Sequence, residues 1–485
     1  MTNDPSRLLL VASNRGPVSY ERAEDGSLIA RRGGGGMVSG LTSGLAAAAA
    51  DGGVLWLCTA LSTADREAAR TGARAAAAPG EADVRMLDIP PAVFDAAYNG
   101  IANSVLWFVH HLLFDTPNQP RFDAQFRRDW AAYRAYNEAF AVALSEECVG
   151  ESRVLIQDYH LALAPRLLRD LHPDARIVHF EHTPWAPPEY YRMLPDGVAA
   201  SILDGMLGAD HVGFLAERWA EAFLDCCAAV LGARVMRGAA GLGRVNHRGR
   251  VTEVAVHPLG VDARALRERA AEADVRAAAG ALAGLTAGGR QLIVRVDRTE
   301  LSKNIVRGLA AYRELLTAWP QWRGRVTHLA LAYPSRSGLP EYQAYTARVH
   351  ELAEEINAEF ATADWTPLIL DVRDDYPRSL AACGTADVLL VNPIRDGMNL
   401  VAEEGPILSE RGCALVLSRE AGAAALIGDS ALIVNPYDVT ATAQALHVGL
   451  SMPPTERRRR SAEISALAAA RSPRHWLAEQ VAALG

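Results

Sequence analysis

QLIVRVDRTELSKNIVRGLAAYRELL, residues 291–316, reads as a strand, a loop and a helix in immediate succession. QLIVRV (291–296) is a short apolar, β-branched run of the kind buried on both faces of a parallel sheet. DRTELSKN (297–304) is polar, and the apolar positions from Ile305 onward recur at helical spacing. Lys303, in that loop, is the only lysine of the chain, since 48 of its 49 basic residues are arginine. A lone ammonium suggests a place where a compact point charge matters. Arg298 and Lys303 lie five apart beside a helix N-terminus, which favours anionic groups such as phosphates.

The same alternation runs through the chain. Strands are predicted at 8–13, 54–58, 84–88, 153–157, 176–181, 210–214 and 252–257, then at 291–296, 326–333, 367–371, 386–391, 413–418 and 431–434. Helical periodicity fills most gaps, as at 126–147, 216–231, 341–359 and 439–451. Strands alternating with helices imply parallel sheets covered on both faces. Thirteen strands exceed one comfortable sheet, so an α/β fold of two doubly wound Rossmann-like domains is expected, with a cleft between them. The boundary should fall between HPLGVD (257–262) and the Ala/Gly-rich stretch 276–289, giving domains of 1–262 and 263–472. The last helix, 473–485 with Trp476, should pack back on the first domain.

Composition narrows the function. Half of the 485 residues are hydrophobic and about a fifth are charged, which is globular. A net charge of −8 disfavours a nucleic-acid partner, and RRRR (457–460) reads as a solvated helix face behind Glu456. No apolar run approaches the ~20 residues that span a bilayer, and LLLVA (8–12) is too short for a signal peptide. The six cysteines lack metal-ligand spacing and read as reduced thiols of a cytoplasmic protein. The oligomeric state is left open, a homo-oligomer included.

DVLLVNPIRDGMNLVAEE (387–404) is a second strand–turn–helix segment. Amides from Gly397 through Met398, Asn399 and Leu400 to Val401 suit a diphosphate and a sugar hydroxyl, while Asp396 and Glu404 can accept from hydroxyls. In the first half, RRGGGGMVSG (31–40) is a poor dinucleotide fingerprint and a better closing loop. IQDYHL (156–161) and HFEHTPWAPPEYYRMLP (179–195) place Asp158 and His182 just after strands, near the aromatic residues Tyr98, Trp107, Tyr159 and Trp185. Such a gathering suits a carbohydrate.

With these motifs in view, the chain resembles glycosyltransferase family 20, the trehalose-6-phosphate synthases, retaining enzymes of GT-B architecture with two domains facing a central cleft. The resemblance rests on SNR (13–15), the Gly-rich loop, YNGIANSVLW (98–107), QDYHL, HTPWAPPE, the Arg298/Lys303 pair, PSR (334–336), WTP (365–367), RDGMNLVAEE and ALIVNPYD (431–438). It implies that Arg298 and Lys303 hold the donor diphosphate and Glu404 the ribose. Asp396 with the Gly397, Met398 and Asn399 amides would hold the donor glucose, Leu400 and Val401 the phosphate, and Gly36 would close over the donor. His182 would stand near the reacting carbon. Arg15, Arg336 and Tyr98 would clamp the phosphate of glucose 6-phosphate, with Trp107 and Asp158 on its sugar. Gln157 stands where the family commonly has histidine, Asn304 where the lysine is usually followed by glycine, Glu403 where a lysine is frequent, and Thr59 where some members carry a second tryptophan.

The expected reaction is therefore synthesis of trehalose 6-phosphate from a nucleotide-glucose and glucose 6-phosphate, with no metal ion. A separate phosphatase would act next, since no DxDxT start is present. The alternatives are a glucosylglycerol-phosphate synthase, a pseudo-glycosyltransferase, or a catalytically silent regulatory subunit. The loop DVRDDYP (371–377) carries three carboxylates. A carboxylate can accept from guanine's adjacent donors and repels uracil's carbonyls, so this loop tilts the reading towards GDP-glucose over UDP-glucose; the alternative is that these acids are solvated or pair with Arg373 and Arg378.

Overall fold

The computed structural model describes residues 8–32, 41–42, 44–45, 53–71, 75–76, 82–409 and 411–485. The chain forms two compact units, one of Met1–Leu259 with Pro473–Gly485 and the other of Gly260–Ser472. The change of unit comes at Leu259, slightly before the expected break, and the Ala/Gly-rich stretch belongs wholly to the second unit as a helix, Ala273–Leu282, and a following 3₁₀ segment.

The first unit is built on strands β1 (Leu9–Ala12), β4 (Val54–Thr59), β5 (Ala75–Ala76), β6 (Asp83–Leu87), β7 (Arg153–Gln157), β8 (Arg176–Glu181), β9 (His211–Phe214), β10 (Arg234–Arg237), β11 (Gly243–His247) and β12 (Arg250–Val256). They form one sheet in the order β10-β11-β12-β9-β8-β7-β1-β4-β6-β5. From β12 to β6 every pair is parallel; the outer pairs are antiparallel. β1 lies between β4 and β7, so the winding reverses there, and ligands of such sheets bind beyond the carboxyl ends near the reversal. Asn14–Arg15, Asp158 and His182 follow the carboxyl ends of β1, β7 and β8, three consecutive neighbours.

The second unit has β13 (Gln291–Arg298), β14 (Val326–Tyr333), β15 (Leu368–Asp371), β16 (Val388–Val391), β17 (Ala414–Ser418) and β18 (Leu432–Val434), all parallel, in the order β15-β14-β13-β16-β17-β18. Its sides are covered by the helices Ile305–Ala318, Pro340–Phe360 and Val439–Ser451, whose Leu309, Leu315, Ile356 and Leu446 are buried with Ile293, Val326 and Val416 of the strands. Burial of each such side chain contributes about 1.5–3 kcal/mol.

Three features depart from expectation. Val18–Arg22 and Leu28–Arg32 pair as an antiparallel hairpin, β2 and β3, where the sequence predicts no strand. Their exposed, charged residues hide the period of two. Ala96–Leu106 is a π-helix, continuing into the α-helix Trp107–His111, and its spacing follows neither periodic template. The arginine block is not uniformly solvated: Arg457 is buried and donates to Asp387 at 2.8 Å, while Arg459 and Arg460 pair with Glu456. The helix Pro473–Ala482 groups with the first unit, where Trp476 meets Phe180 edge-on at 5.0 Å. Among the described residues no helix is long and apolar enough to cross a membrane.

Candidate active site

In the second unit the loop after β13 and the turn after β16 come together. Lys303 Nζ lies 2.5 Å from Asp396 Oδ2, both side chains being largely buried. Burial alone would lower the Lys303 pKa, but Asp396, Asp297 and Glu300 outweigh it and raise it, so the ammonium is charged. Asn399 Nδ2 also donates to Asp396 Oδ2, at 3.0 Å. Behind this pair Arg295, fully buried in β13, donates to Asp297 at 2.8 Å and to the Lys303 carbonyl at 3.0 Å, bracing the loop from within.

Glu300 gathers the other cations. Its buried Oε1 lies 3.2 Å from Arg298 Nη1 and 3.3 Å from Arg336 Nη1, and accepts from Ser335 Oγ at 2.9 Å. Burial would raise its pKa; the charges of Arg298, Arg336 and Lys303 prevail and hold it at about 2. Arg336 also donates to Tyr342 Oη at 2.7 Å and has a φ of 47°. Thus two arginines that the family resemblance assigns to different phosphates share one carboxylate. No sequence pattern marks Glu300 as buried; an acid between two functional cations was the available signal.

The turn from Asp396 to Leu400 is held by main-chain bonds to the segment after β17: Asp396 to Glu420 at 3.2 Å, Gly422 to Asp396 at 3.1 Å and Ala423 to Met398 at 3.0 Å. A Cβ on Gly422 would stand 1.9 Å from the Gly397 carbonyl oxygen, so only glycine permits this approach. Asn399 has a φ of 74°, a conformation that asparagine tolerates better than most residues. The N–H groups of Met398, Asn399 and Leu400 find no acceptor among the described residues and precede the helix Val401–Leu408, a favourable arrangement for an anion. Glu404, in the first turn, is pushed up to about 7 by burial and by Glu403. Asn304 occupies the left-handed region with φ 58°, and its Nδ2 donates to the carbonyls of Asn392 and Pro436. That explains how asparagine serves where the family commonly has glycine.

In the first unit Asp158 has φ 76° and ψ 160°, a region costly for any residue but glycine and met mainly at functional sites. Its Oδ2 lies 3.4 Å from His160 Nδ1, and its buried Oδ1 has no hydrogen-bond partner among the described residues. Burial would raise its pKa, but His160 and His182 hold it at about 2, so Asp158 is ionised. Its neighbour Glu181, the buried last residue of β8, shows the opposite: burial and the Asp158 charge raise its pKa well above the ordinary range, so it keeps its proton. Glu181 was missed by sequence reasoning, although a carboxyl closing a strand that runs through Ile177, Val178 and Phe180 was a usable signal. His182 Nε2 lies 2.9 Å from Gln157 Oε1, and burial, ahead of the opposing Asp158 charge, lowers its pKa.

Tyr98, on the π-helix, stacks on Phe94 at 5.2 Å and on His160 at 5.5 Å; Trp107 stacks on His111 at 3.9 Å and tilts towards Tyr159 at 6.0 Å. The extra residue per turn of the π-helix brings Tyr98 to the Asp158 loop while Asn103 accepts from Tyr159 Oη at 2.9 Å. Arg15 is exposed, on a turn fixed by Ser13 Oγ donating to the Arg15 carbonyl at 2.6 Å. Thr59 is buried against Tyr136 Oη, which donates in turn to Asn14, so this departure from the family pattern supports the same turn. Gly36 lies outside the described residues.

Two of the three carboxylates expected to read a guanine are engaged elsewhere, and Asp374 is exposed. Asp371 takes Arg373 at 2.6 Å and Arg378 at 3.0 Å, and Asp375 caps the helix Tyr376–Thr385 through the Arg378 amide. The preference for GDP-glucose therefore loses two of the three carboxylates it rested on.

One sheet parallel through its centre and one wholly parallel, each with charged groups beyond its carboxyl edge, fit a glycosyltransferase of the GT-B class. Residues 7–485 match the profile of glycosyltransferase family 20. The UDP-forming alpha,alpha-trehalose-phosphate synthase of Schizosaccharomyces pombe is 33% identical over 460 residues, covering 93% of this chain and 85% of that one. Among solved structures, the UDP-forming alpha,alpha-trehalose-phosphate synthase of Burkholderia vietnamiensis aligns with a TM-score of 0.83 and 30% identity over 99% of each chain. That of Burkholderia xenovorans in complex with glucose 6-phosphate gives 0.83 at 26% identity, again over 99% of each. The chain belongs to glycosyltransferase family 20.

Proposed function

We propose that this chain is an alpha,alpha-trehalose-6-phosphate synthase that transfers glucose, with retention, from UDP-glucose to glucose 6-phosphate. The observation that carries the reading is the cluster of Arg298, Lys303 and Arg336 around Glu300, with Asp396 against Lys303: cations for phosphates beside a carboxylate for sugar hydroxyls. UDP is preferred to GDP because Asp371 and Asp375 are occupied, and because the relatives named above are UDP-forming.

Arg298 and Lys303 hold the donor diphosphate, and Glu404 accepts from the ribose. Asp396 and the Gly397, Met398 and Asn399 amides hold the glucose, with Leu400 and Val401 on the phosphate and His182 beside the reacting carbon. Arg15, Arg336 and Tyr98 take the acceptor phosphate; Trp107 and Asp158 take its sugar. The bond from the donor C1 to the diphosphate breaks as the acceptor's anomeric oxygen bonds to the same face. The acceptor proton passes to the departing phosphate oxygen. Fixed cations stabilise the charge growing on that leaving group, so metal-independent transfer is expected. Comparing kcat/KM for UDP-, GDP- and ADP-glucose with glucose 6-phosphate tests this. A preference for UDP-glucose supports the reading; transfer to glycerol 3-phosphate instead, or no transfer from any donor, refutes it.

A further inference from the structure

A buried chain of amides ends on His182. Gln157, the last residue of β7, and Gln480, on the helix Pro473–Ala482, are both fully buried. Gln480 Nε2 donates to the Trp476 carbonyl at 3.4 Å, Gln157 Nε2 donates to Gln480 Oε1 at 3.1 Å, and Gln157 Oε1 lies 2.9 Å from His182 Nε2. The direction of every bond follows from the far end. A carbonyl only accepts, so Gln480 must turn its NH₂ to Trp476 and its oxygen to Gln157. Gln157 must then give its NH₂ to Gln480, which leaves its oxygen for the imidazole. Reversing either amide would bury two acceptors or two donors face to face, an arrangement costing about 1–3 kcal/mol for each unsatisfied group.

His182 Nε2 facing an amide oxygen must carry the hydrogen, and on a neutral ring Nδ1 then keeps a lone pair. The ring is held neutral, because burial lowers its pKa. It is also held in place, 5.0 Å from Phe180 and 5.6 Å from Trp476. Nδ1 makes no hydrogen bond among the described residues. We propose that Gln157 and Gln480 are positioning residues that lock His182 as its Nε2–H tautomer, so that Nδ1 is offered as an acceptor to a hydroxyl of the donor sugar. This rests on the proposed place of His182 beside the donor glucose, and it gives the returning C-terminal helix a part in catalysis. A glutamine at 157, where the family commonly has histidine, fits the relay because its amide can both donate and accept.

Long-range ¹H–¹⁵N correlation spectra of the full chain labelled with ¹⁵N-histidine read the tautomer directly, with His182→Asn identifying the signal. The parent should show a protonated Nε2 and an unprotonated Nδ1. Gln480→Leu should give mixed tautomers and lower kcat at least ~10-fold, with the glucose 6-phosphate KM unchanged. Gln157→Glu, whose carboxylate favours the imidazolium, should move the His182 titration upward and shift the acid limb of the kcat profile with it. A parent spectrum with protonated Nδ1 overturns the proposal, even if neither variant folds. So does an unaltered tautomer in Gln480→Leu, or a mixed tautomer with unaltered kcat. The expected tautomer in a chain without glucosyl transfer would leave the amide lock standing and refute the functional reading instead.

Discussion

Replacing Glu300 by glutamine isolates the charge that organises the cation cluster. Glutamine keeps the shape of the side chain and its bond to Ser335, but it presents no charge to Arg298 or Arg336. The carboxyl is fully buried, with a pKa held near 2 against an ordinary 4.5. At 1.36 kcal/mol per pH unit, that depression is worth roughly 3 kcal/mol of stability at neutral pH. Because the folded pKa lies below the unfolded one, the contribution is complete above 4.5 and disappears as pH falls towards 2. Glu300→Gln should therefore lower the melting temperature at pH 7 by about 6–12 °C. The gap to the parent should be flat above pH 5 and narrow on acidification. Calorimetric unfolding of both proteins across that range is the assay. A variant within about 0.5 kcal/mol of the parent at pH 7, the scale of an ordinary surface substitution, or a gap that widens towards acid, would refute the reasoning.

Lys303→Ala removes the cation proposed to stabilise the leaving group and strands the buried Asp396 carboxylate, so kcat should fall 10²–10³-fold in steady-state assays, or about 3–4 kcal/mol of barrier. Lys303→Arg should not restore it, because a planar fork does not replace a point charge. Arg336→Ala should raise the glucose 6-phosphate KM strongly while donor affinity, measured by calorimetric titration, stays nearly unchanged. Glu404 stands at about 7, raised by burial and then by Glu403. Its acceptor form grows as pH rises, so donor KM should fall between pH 6 and 8. Glu404→Gln should abolish that slope, and Glu403→Gln should move its midpoint to lower pH.

The second unit was the more legible in sequence. Apolar runs such as 291–296 and 387–391 are buried on both faces, so burial itself writes the strand, and the turn residues that follow fall where ligands bind. β2, β3, β10 and β11 were not read because their exposed faces carry charge and break the apolar run. The π-helix at 96–106 departs from the helical period on which pattern reading relies. Lys303 and Asp396, which the structure brings together, could be singled out from loop position and residue type. Glu300 and Glu181 could not, since their roles come from burial beside charges distant in sequence. The acids of 371–377 could not be settled for the complementary reason: sequence offers both a base and the nearby Arg373 and Arg378 as partners, and only the structure shows that the arginines take Asp371.

The product of the reaction tests the central claim most directly. Incubation of the purified chain with UDP-glucose and glucose 6-phosphate, followed by ¹H and ¹³C NMR of the isolated sugar phosphate, fixes both the linkage and the anomeric configuration. A non-reducing disaccharide phosphate joined C1 to C1, with both anomeric centres α, is the predicted result. A reducing disaccharide, a β-linked one, or free glucose from simple donor hydrolysis would contradict it.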